Sequence, residues 1–477
     1  MIIKDKKEEF EKYLKDESNS KSENIEKLYI PENEEELINI LKKERSFITI
    51  YGSGTGIVGG ATNNKGIIIS TEKLKEIFIH KKNKIVQVGA GATLKELAEE
   101  LKKYDLWYPV DSTEQTATIG GNFATNASGT RSFRFGCIRN FVEAASLILV
   151  TGEKINLKRK QIISNNLTFD FEINNKRIKF DMVDLLQKFY FKNSAGYYMK
   201  KNMDLMDLFI GSEGTLAIVT DISLKVMDMP HDIAVFLVYF DSKEKCFEVI
   251  KELKKIEVPY KPLSIEYFDK NSLTLLNSKL NTVDKRAAAL VFEFLIEKSN
   301  NEEKIYMFID SFFARYEIDS KDIFMASSKY KKDFIFHVRE NLPQIINEYI
   351  RQQGLKKIST DFAVSDDLFD EMIMIYDNIL NGTKIPYVVF GHIGDNNLHI
   401  NFLPKNDKEY NKALELYEIL AGEMGKKGGT ISAEHGIGKL KKRYLKYMYD
   451  NKIIDKMREI KKIFDSEMRL NTGNIFD

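Results

Sequence analysis

The chain has very little cysteine: two in 477 residues, Cys137 and Cys246, far apart in sequence. That excludes a disulfide-stapled scaffold and fits a reducing compartment. Charge of one sign is missing as well. Lys and Arg number 72 against 71 Asp and Glu, so no global field draws nucleic acid or an anionic membrane. Long hydrophobic runs are absent too. "AASLILV" and "AAALVF" are of core length, far below the roughly 18 apolar residues of a membrane-spanning helix. The first residues, "MIIKDKKEEFEKYLKDESNS", hold no apolar stretch of the kind a secretory signal needs. The local run "KLKKR" (439–443) has no interleaved aromatics and reads as a solvated face. A cytoplasmic protein is expected, with peripheral membrane contact left open.

What is present is an ordinary globular composition, 43% apolar and 30% charged, in a chain long enough for about three domains. Residues 1–45 read as helical and charged, with "PENEEELINILKKE" (31–44) acidic at its start and basic at its end. From 46 to 91, short β-branched runs bounded by Gly and Asn predict strands. "ATLKELAEELKKYD" (92–105) predicts a helix in which Thr93 and Glu96 form a capping box. The segment "ATIGGNFATNASGTRSFRFG" (117–136) has no apolar period and reads as a long functional loop. "AASLILVTGEKINL" predicts a hairpin across Thr151–Gly152, and "IGSEGTLAIVTDISLKV" (210–226) a glycine turn entering a strand. Beyond Met229–Pro230, strands alternate with long charged helices. That predicts a separate α+β domain, an antiparallel sheet with helices on one face. A helical stretch over 408–465 and the tail "LNTGNIF" end the chain.

Six glycines fall between Phe47 and Ser70, and Gly54, Gly56 and Gly59 match G-x-G-x-x-G, with Glu76 about twenty residues on. A dinucleotide site of that kind requires a helix after the glycines. Between Gly59 and the run that includes Ile67 there is no room for one. The stretch therefore predicts strand, turn, strand, with backbone N–H groups free to face an anion.

Three of the six histidines stand in two glycine-flanked motifs. In "FGHIGDNNLHINF" a turn over Gly394–Asn397 would oppose Ile393 to Leu398 and His392 to His399 on one sheet face. "GGTISAEHGIGKLKK" (428–442) sets Glu434 beside His435. Two imidazoles and a carboxylate suit Zn, Mn or Fe with open positions, though a carboxylate beside a histidine is also an ordinary hydrogen-bond partner. His80, His231 and His337 have no such setting and are read as structural.

Six motifs in fixed order, "YGSGTGIVGGA", "ATIGGNFATNASGTRSFRFG", "GSEGTLAIVT", "GHIGDNNLHINF", "ISAEHGIGKLK" and "LNTGNIF", resemble the FAD-linked 2-hydroxy-acid dehydrogenases of the vanillyl-alcohol-oxidase superfamily. The resemblance covers about residue 28 to the end. It implies an N-terminal extension (1–27), a PCMH-type FAD-binding domain of two α+β subdomains (28–228) and an antiparallel-sheet substrate or cap domain (229–425). A C-terminal segment (426–477) returns to the FAD site.

The resemblance further implies that non-covalent FAD is wrapped by Gly52, Ser53, Gly54, Thr55 and Gly56, with Asp111, Ser112 and Thr113. Thr118, Gly120, Gly121, Asn122, Ala124, Thr125, Asn126 and Gly129 form a second loop around it. Gly211, Glu213, Gly214, Ile218 and Asn471 complete the set. It gives His392, His399 and Glu434 to a divalent metal, His435 to proton transfer and Arg339 to the substrate carboxylate. The activity implied is oxidation of a small D-2-hydroxy acid, D-lactate first, with D-2-hydroxyglutarate and glycolate as alternatives. An electron-transfer flavoprotein or a quinone would be the acceptor, and a homodimer is left open. An alkyl-glycerone-phosphate synthase type transferase and a non-catalytic flavoprotein carrier are the rivals from other classes.

Two departures stand out. Asn474 replaces a Lys usual in that tail, and Ser359 stands where dicarboxylate-using relatives place a Lys, which favours a small acid.

Overall fold

The computed structural model describes residues 1–110, 112–185, 191–280, 286–296, 302–326 and 329–477; at 279, 280, 329–331, 334, 336 and 337 it describes the backbone alone. The chain divides into two compact units. One comprises Met1–Gly129, Cys137–Asp228 and Thr430–Asp477, the other Thr130–Gly136 and Met229–Gly429.

In the first unit, strands Ile2–Lys4, Asn24–Ile30, Lys65–Ser70 and Ile48–Tyr51 lie in that order, the first pair antiparallel and the others parallel. The expectation of a helical 1–45 is therefore corrected. Leu28, Tyr29 and Ile30 are buried, and Leu28 and Tyr29 lie opposite Ile68 and Ile69, a long-range pairing that outweighs the charged surroundings. Helix remains where its end signals are strong, over Glu34–Lys43. There Asn33 accepts from the Glu36 N–H, three glutamates fill the first turn and Lys42 and Lys43 the last. A second sheet runs Ile77–His80, Ile85–Gly89, Ile218–Lys225, Val142–Ile148, Lys154–Lys158, antiparallel throughout. Its last pair is the expected hairpin, with Ile148 opposite Lys154. Leu37, Ile40 and Leu41 pack with Ile48 and Ile67 of the first sheet, Ile148 and Ile218 of the second, and Leu470 from the chain's end. The core thus fuses both sheets with the C-terminal segment.

The second unit is built on an eight-stranded sheet. Ile323–Ala326, Asp232–Phe240, Ala288–Ile296, Ser264–Asp269, Tyr387–His392, Asn397–Phe402 and Ile358–Ser359 run in order, and Phe362–Ala363 also pairs with Asn397–Phe402. All of its pairings are antiparallel. The α+β class is as expected, but the helices cover both faces rather than one. Val235, Leu237 and Val291 pack with Leu342 and Ile346 of the long helix Lys329–Gln352. Residues of the opposite parity, Phe236 and Phe292, meet Tyr306 and Phe313 of the helix Glu302–Ala314. The near-continuous burial of the central strands records this double cover. The C-terminal helical stretch is two α-helices, Asp407–Lys426 and Asn451–Phe464, with a short 3-10 helix Lys442–Tyr447 between them, because Gly428, Gly429, Gly436 and Gly438 break the run.

The helix Leu94–Lys102 carries the predicted capping box, with both the Thr93 and Glu96 side chains bonded to backbone N–H groups. Thr93→Ala is expected to cost about 1 kcal/mol. The check is a lower urea midpoint at unchanged slope.

Candidate active site

In the first unit, the strand Ile48–Tyr51 ends at Gly52, and no helix stands between it and its parallel neighbour Lys65–Ser70. Gly52 is glycine because of what it meets: a Cβ there would lie 2.5 Å from Thr118 Oγ1. Thr118 in turn caps a helix, Ile119–Thr125, accepting from the Gly121 N–H at 3.2 Å. This corrects the reading of 117–136 as loop. Gly, Asn and Thr are weak helix formers, yet the cap and a close approach hold this short helix. At Gly120 a Cβ would stand 2.7 Å from Ala90 Cβ and 2.9 Å from its carbonyl oxygen. The helix stops at Asn126, left-handed at φ 52°.

These elements border an open cleft. Of the residues predicted to hold FAD, Gly52, Gly120, Gly121, Ala124, Gly214, Ile218 and Asn471 line it. Ser53, Gly54, Thr55 and Gly56 continue the loop leaving Gly52, and Ser112 and Thr113 lie in irregular chain ahead of the cap. Asp111 lies outside the described residues. Some of the remainder act within the protein. Asn122 Nδ2 donates to the Thr118 carbonyl at 2.8 Å, Thr125 Oγ1 to that of Gly121 at 3.0 Å, and the Gly211 N–H to that of Phe123 at 2.9 Å. Asn126 ends the helix, and Gly129 is the last residue before the chain passes to the second unit. Four glycines and three alanines among the cleft's lining residues leave room for the close approach of a flat cofactor.

Asn471 and Glu213 bind this cleft together. Asn471 Oδ1 accepts from the Ile50 N–H at 2.8 Å, and its Nδ2 donates to the Glu213 carbonyl at 2.7 Å. The Glu213 carboxylate accepts from the N–H groups of Ile437 and Gly438 at 2.6 and 2.7 Å. Burial pushes its pKa up to about 7, and those two donors oppose the rise. The same unit carries Glu434 and His435. Glu434 Oε2 accepts from Lys192 Nζ at 2.7 Å and from Ser128 Oγ at 3.2 Å, and Oε1 lies 3.4 Å from His435 Nε2.

The second unit carries the other two histidines, in a register that differs from the expected one. His392 opposes Asn397, and His399 opposes Phe390. The turn is a tight one over Ile393–Asp395, closed by Asn396 in the left-handed region at φ 52°, so pairing resumes one residue earlier than expected on both sides. Because side chains alternate, the two histidines still share a face as diagonal neighbours. Their ring centroids are 5.7 Å apart and their planes nearly perpendicular, at 88°. His392 Nδ1 lies 2.6 Å from Glu266 Oε1, a residue directly across the neighbouring strand. His399 Nδ1 lies 2.9 Å from the Thr360 carbonyl oxygen. Arg339 Nη1 stands 3.4 Å from Glu293 Oε1, while Arg131 Nε donates to Glu293 Oε2 at 2.7 Å.

Glu266, Glu293, Arg131 and Lys192 were not singled out from the sequence. A glutamate inside the apolar run "ALVFEFLIE" was a signal for Glu293. Nothing local marked the others, whose partners lie far along the chain.

A glycine-walled cofactor cleft in one unit and an antiparallel sheet bearing paired imidazoles in the other define a two-domain flavoenzyme. The chain belongs to the FAD-linked oxidases: the family's C-terminal domain matches residues 229–475, and an FAD binding domain matches 26–158. It is 28% identical to the D-lactate dehydrogenase of Archaeoglobus fulgidus over 93% of this chain and 90% of that one. Against a glycolate oxidase subunit of Bacillus subtilis the identity is 25%, over 94% and 88%. Against the D-2-hydroxyglutarate dehydrogenase of Xanthomonas citri it is 27%, over 89% and 83%. Among solved structures, alkyldihydroxyacetonephosphate synthase superposes with a TM-score of 0.67 at 16% identity, over 98% of this chain and 81% of that one. That likeness shows the fold. Among the described residues, no helix is long and apolar enough to cross a membrane.

Gly120→Ala is expected to force the short helix off Ala90, destabilising the fold by about 1–3 kcal/mol and lowering the flavin bound per protein. The ratio of visible to ultraviolet absorbance of the purified variant checks this.

Proposed function

We propose that this chain oxidises a small D-2-hydroxy acid, D-lactate before glycolate, to the corresponding 2-oxo acid. The observation that carries the reading is the His392–His399 pair, each imidazole set by an acceptor at Nδ1. An Nδ1–H donated to Glu266 or to the Thr360 carbonyl places the ring's lone pair on Nε2, the tautomer of a metal-binding imidazole. With Glu434 as third ligand, the donor set of two imidazoles and a carboxylate suits Zn, Mn or Fe. Bound FAD supplies the two-electron acceptor, and the cation the Lewis acidity that lowers a hydroxyl pKa.

The chain's own residues take the remaining work. His435 accepts the hydroxyl proton, a task suited to imidazole near neutral pH. Arg339 grips the substrate carboxylate. The carboxylate of Glu293, paired with both Arg131 and Arg339, holds that guanidinium in place for an anionic substrate. An electron-transfer flavoprotein or a quinone then reoxidises the enzyme. Neutral Ser359 in place of a lysine supports a short acid.

A second reading, oxidation of D-2-hydroxyglutarate, is favoured by Lys357. It stands two residues before Ser359, in irregular chain leading into the strand Ile358–Ser359, and burial pushes its pKa down to about 8. Its charge would be lost as pH rises through that value, so use of a dicarboxylate would weaken above about pH 8.

Anaerobic bleaching of the flavin band across a panel of D- and L-hydroxy acids tests the function. D-lactate is expected to bleach it, and bleaching by D-2-hydroxyglutarate alone would transfer the assignment to the second reading. His435→Ala is expected to keep its flavin and lose reduction by D-lactate. Retention of the parental rate would remove His435 from the mechanism. Replacing Glu266 by Ala is expected to weaken divalent-metal affinity about 10–100-fold. Unchanged affinity by metal titration would count against His392 as a ligand.

A further inference from the structure

We infer that Glu213 is a positioning residue for His435, bracing the histidine's loop against the flavin cleft. The inference rests on the function proposed above. Glu213 is buried, and it meets three separate segments of the first unit. Its N–H donates to the Ala124 carbonyl in the helix at the cleft, at 2.7 Å. Its carbonyl accepts from Asn471 Nδ2, also at 2.7 Å. Its two carboxylate oxygens take the N–H groups of Ile437 and Gly438, the second and third residues after His435.

The loop is shaped to this carboxylate. Gly436 and Gly438 are left-handed at φ 74° and 50°, and a Cβ on Gly436 would stand 2.9 Å from Glu213 Oε1. On the loop's other side, Ser432 Oγ donates to the Gly436 carbonyl at 2.6 Å and accepts from Lys441 Nζ at 3.0 Å. Glu213 itself is held left-handed, at φ 55°, a conformation costly for a glutamate unless its surroundings fix it. A residue so placed ties the position of His435 to the walls of the cleft. Geometry of that kind governs rate steeply, since a displacement of about 1 Å at a catalytic group can cost about 10²-fold.

Glutamine is the discriminating replacement. It keeps the shape but offers one acceptor and one donor where the loop presents two donors, so one N–H meets a like group. Holoenzyme carrying Glu213→Gln is expected to retain FAD and to show faster hydrogen exchange at the 437 and 438 amides. Its limiting rate of anaerobic flavin reduction by D-lactate is expected to fall about 10²-fold with little change in the half-saturating concentration. Glu213→Asp, which restores two acceptors on a shorter stem, is expected to recover part of the rate. Parental rate and parental exchange in the glutamine variant would overturn the inference. So would a loss of rate matched by loss of FAD, which would make Glu213 a part of the cleft wall only. If no hydroxy acid reduces the parent enzyme, the functional reading falls, while amide exchange at 437 and 438 still decides whether the brace exists.

Discussion

The side-chain amide of Asn471 stands where three stretches of backbone converge. Its oxygen takes the N–H of Ile50, its nitrogen gives to the carbonyl of Glu213, and its own N–H gives to the carbonyl of Ile48. Leu470 beside it enters the core shared by both sheets of the first unit. Its backbone is left-handed at φ 41°, a conformation that Asn tolerates better than most residues. One amide therefore sets the separation between the strand that ends in Gly52 and the turn that contains Gly214. Both border the cofactor cleft. Without the amide a buried donor and a buried acceptor would be left unpaired, at about 1–3 kcal/mol each. The larger consequence is geometric, because the cleft's width rests on a group more than two hundred residues from either wall.

Three buried carboxylates have a comparable organising role. Glu213 holds the His435 loop, Glu266 holds the His392 ring, and Glu293 holds Arg131 and Arg339. None is favourable as a source of stability alone, since an ionised carboxylate loses solvation when buried and its partners return that loss only when well aligned. Each instead fixes the orientation of a group with a proposed chemical task. Glu266 and Glu293 follow from strand pairing. Glu266 lies across from His392, and Glu293 from Ser264 on the same strand as Glu266. Sheet register thus places the carboxylates, and the carboxylates aim the imidazole and the guanidiniums.

The parts of this arrangement visible in the sequence were those with local causes. The capping box at Thr93, the hairpin at Thr151–Gly152 and the missing helix after Gly59 are decided by neighbours a few residues apart. The helix at Ile119 was not visible, because its residues are poor helix formers and its support is Ala90, some thirty positions back. The histidine hairpin was legible as a hairpin, but its register depended on Asn396 adopting a left-handed turn, which shifted each pairing. That the two rings still share a face follows from the two-residue period of a strand, which the shift preserves. Glu266 and Lys192 were out of reach, since each is paired with a residue more than a hundred positions away.

The departure at Asn474 is resolved by the same reasoning. A lysine usual in the resembling tail is absent, yet a cation is still present there. Lys439 Nζ donates to Asn474 Oδ1 at 2.6 Å, and Asn474 Nδ2 donates to the Gly60 carbonyl at 3.0 Å. The amide thus relays between a lysine on the His435 segment and the first glycine loop. Burial lowers the Lys439 pKa to about 8, with Glu213 pulling it back up, so the ammonium is still mostly charged at neutral pH. Lys439 thus brings positive charge to the tail at Asn474. It also joins that charge to the loop that Glu213 holds. Position 474 then needs only a group that accepts from one side and donates to the other, and asparagine is the smallest side chain that does both without charge.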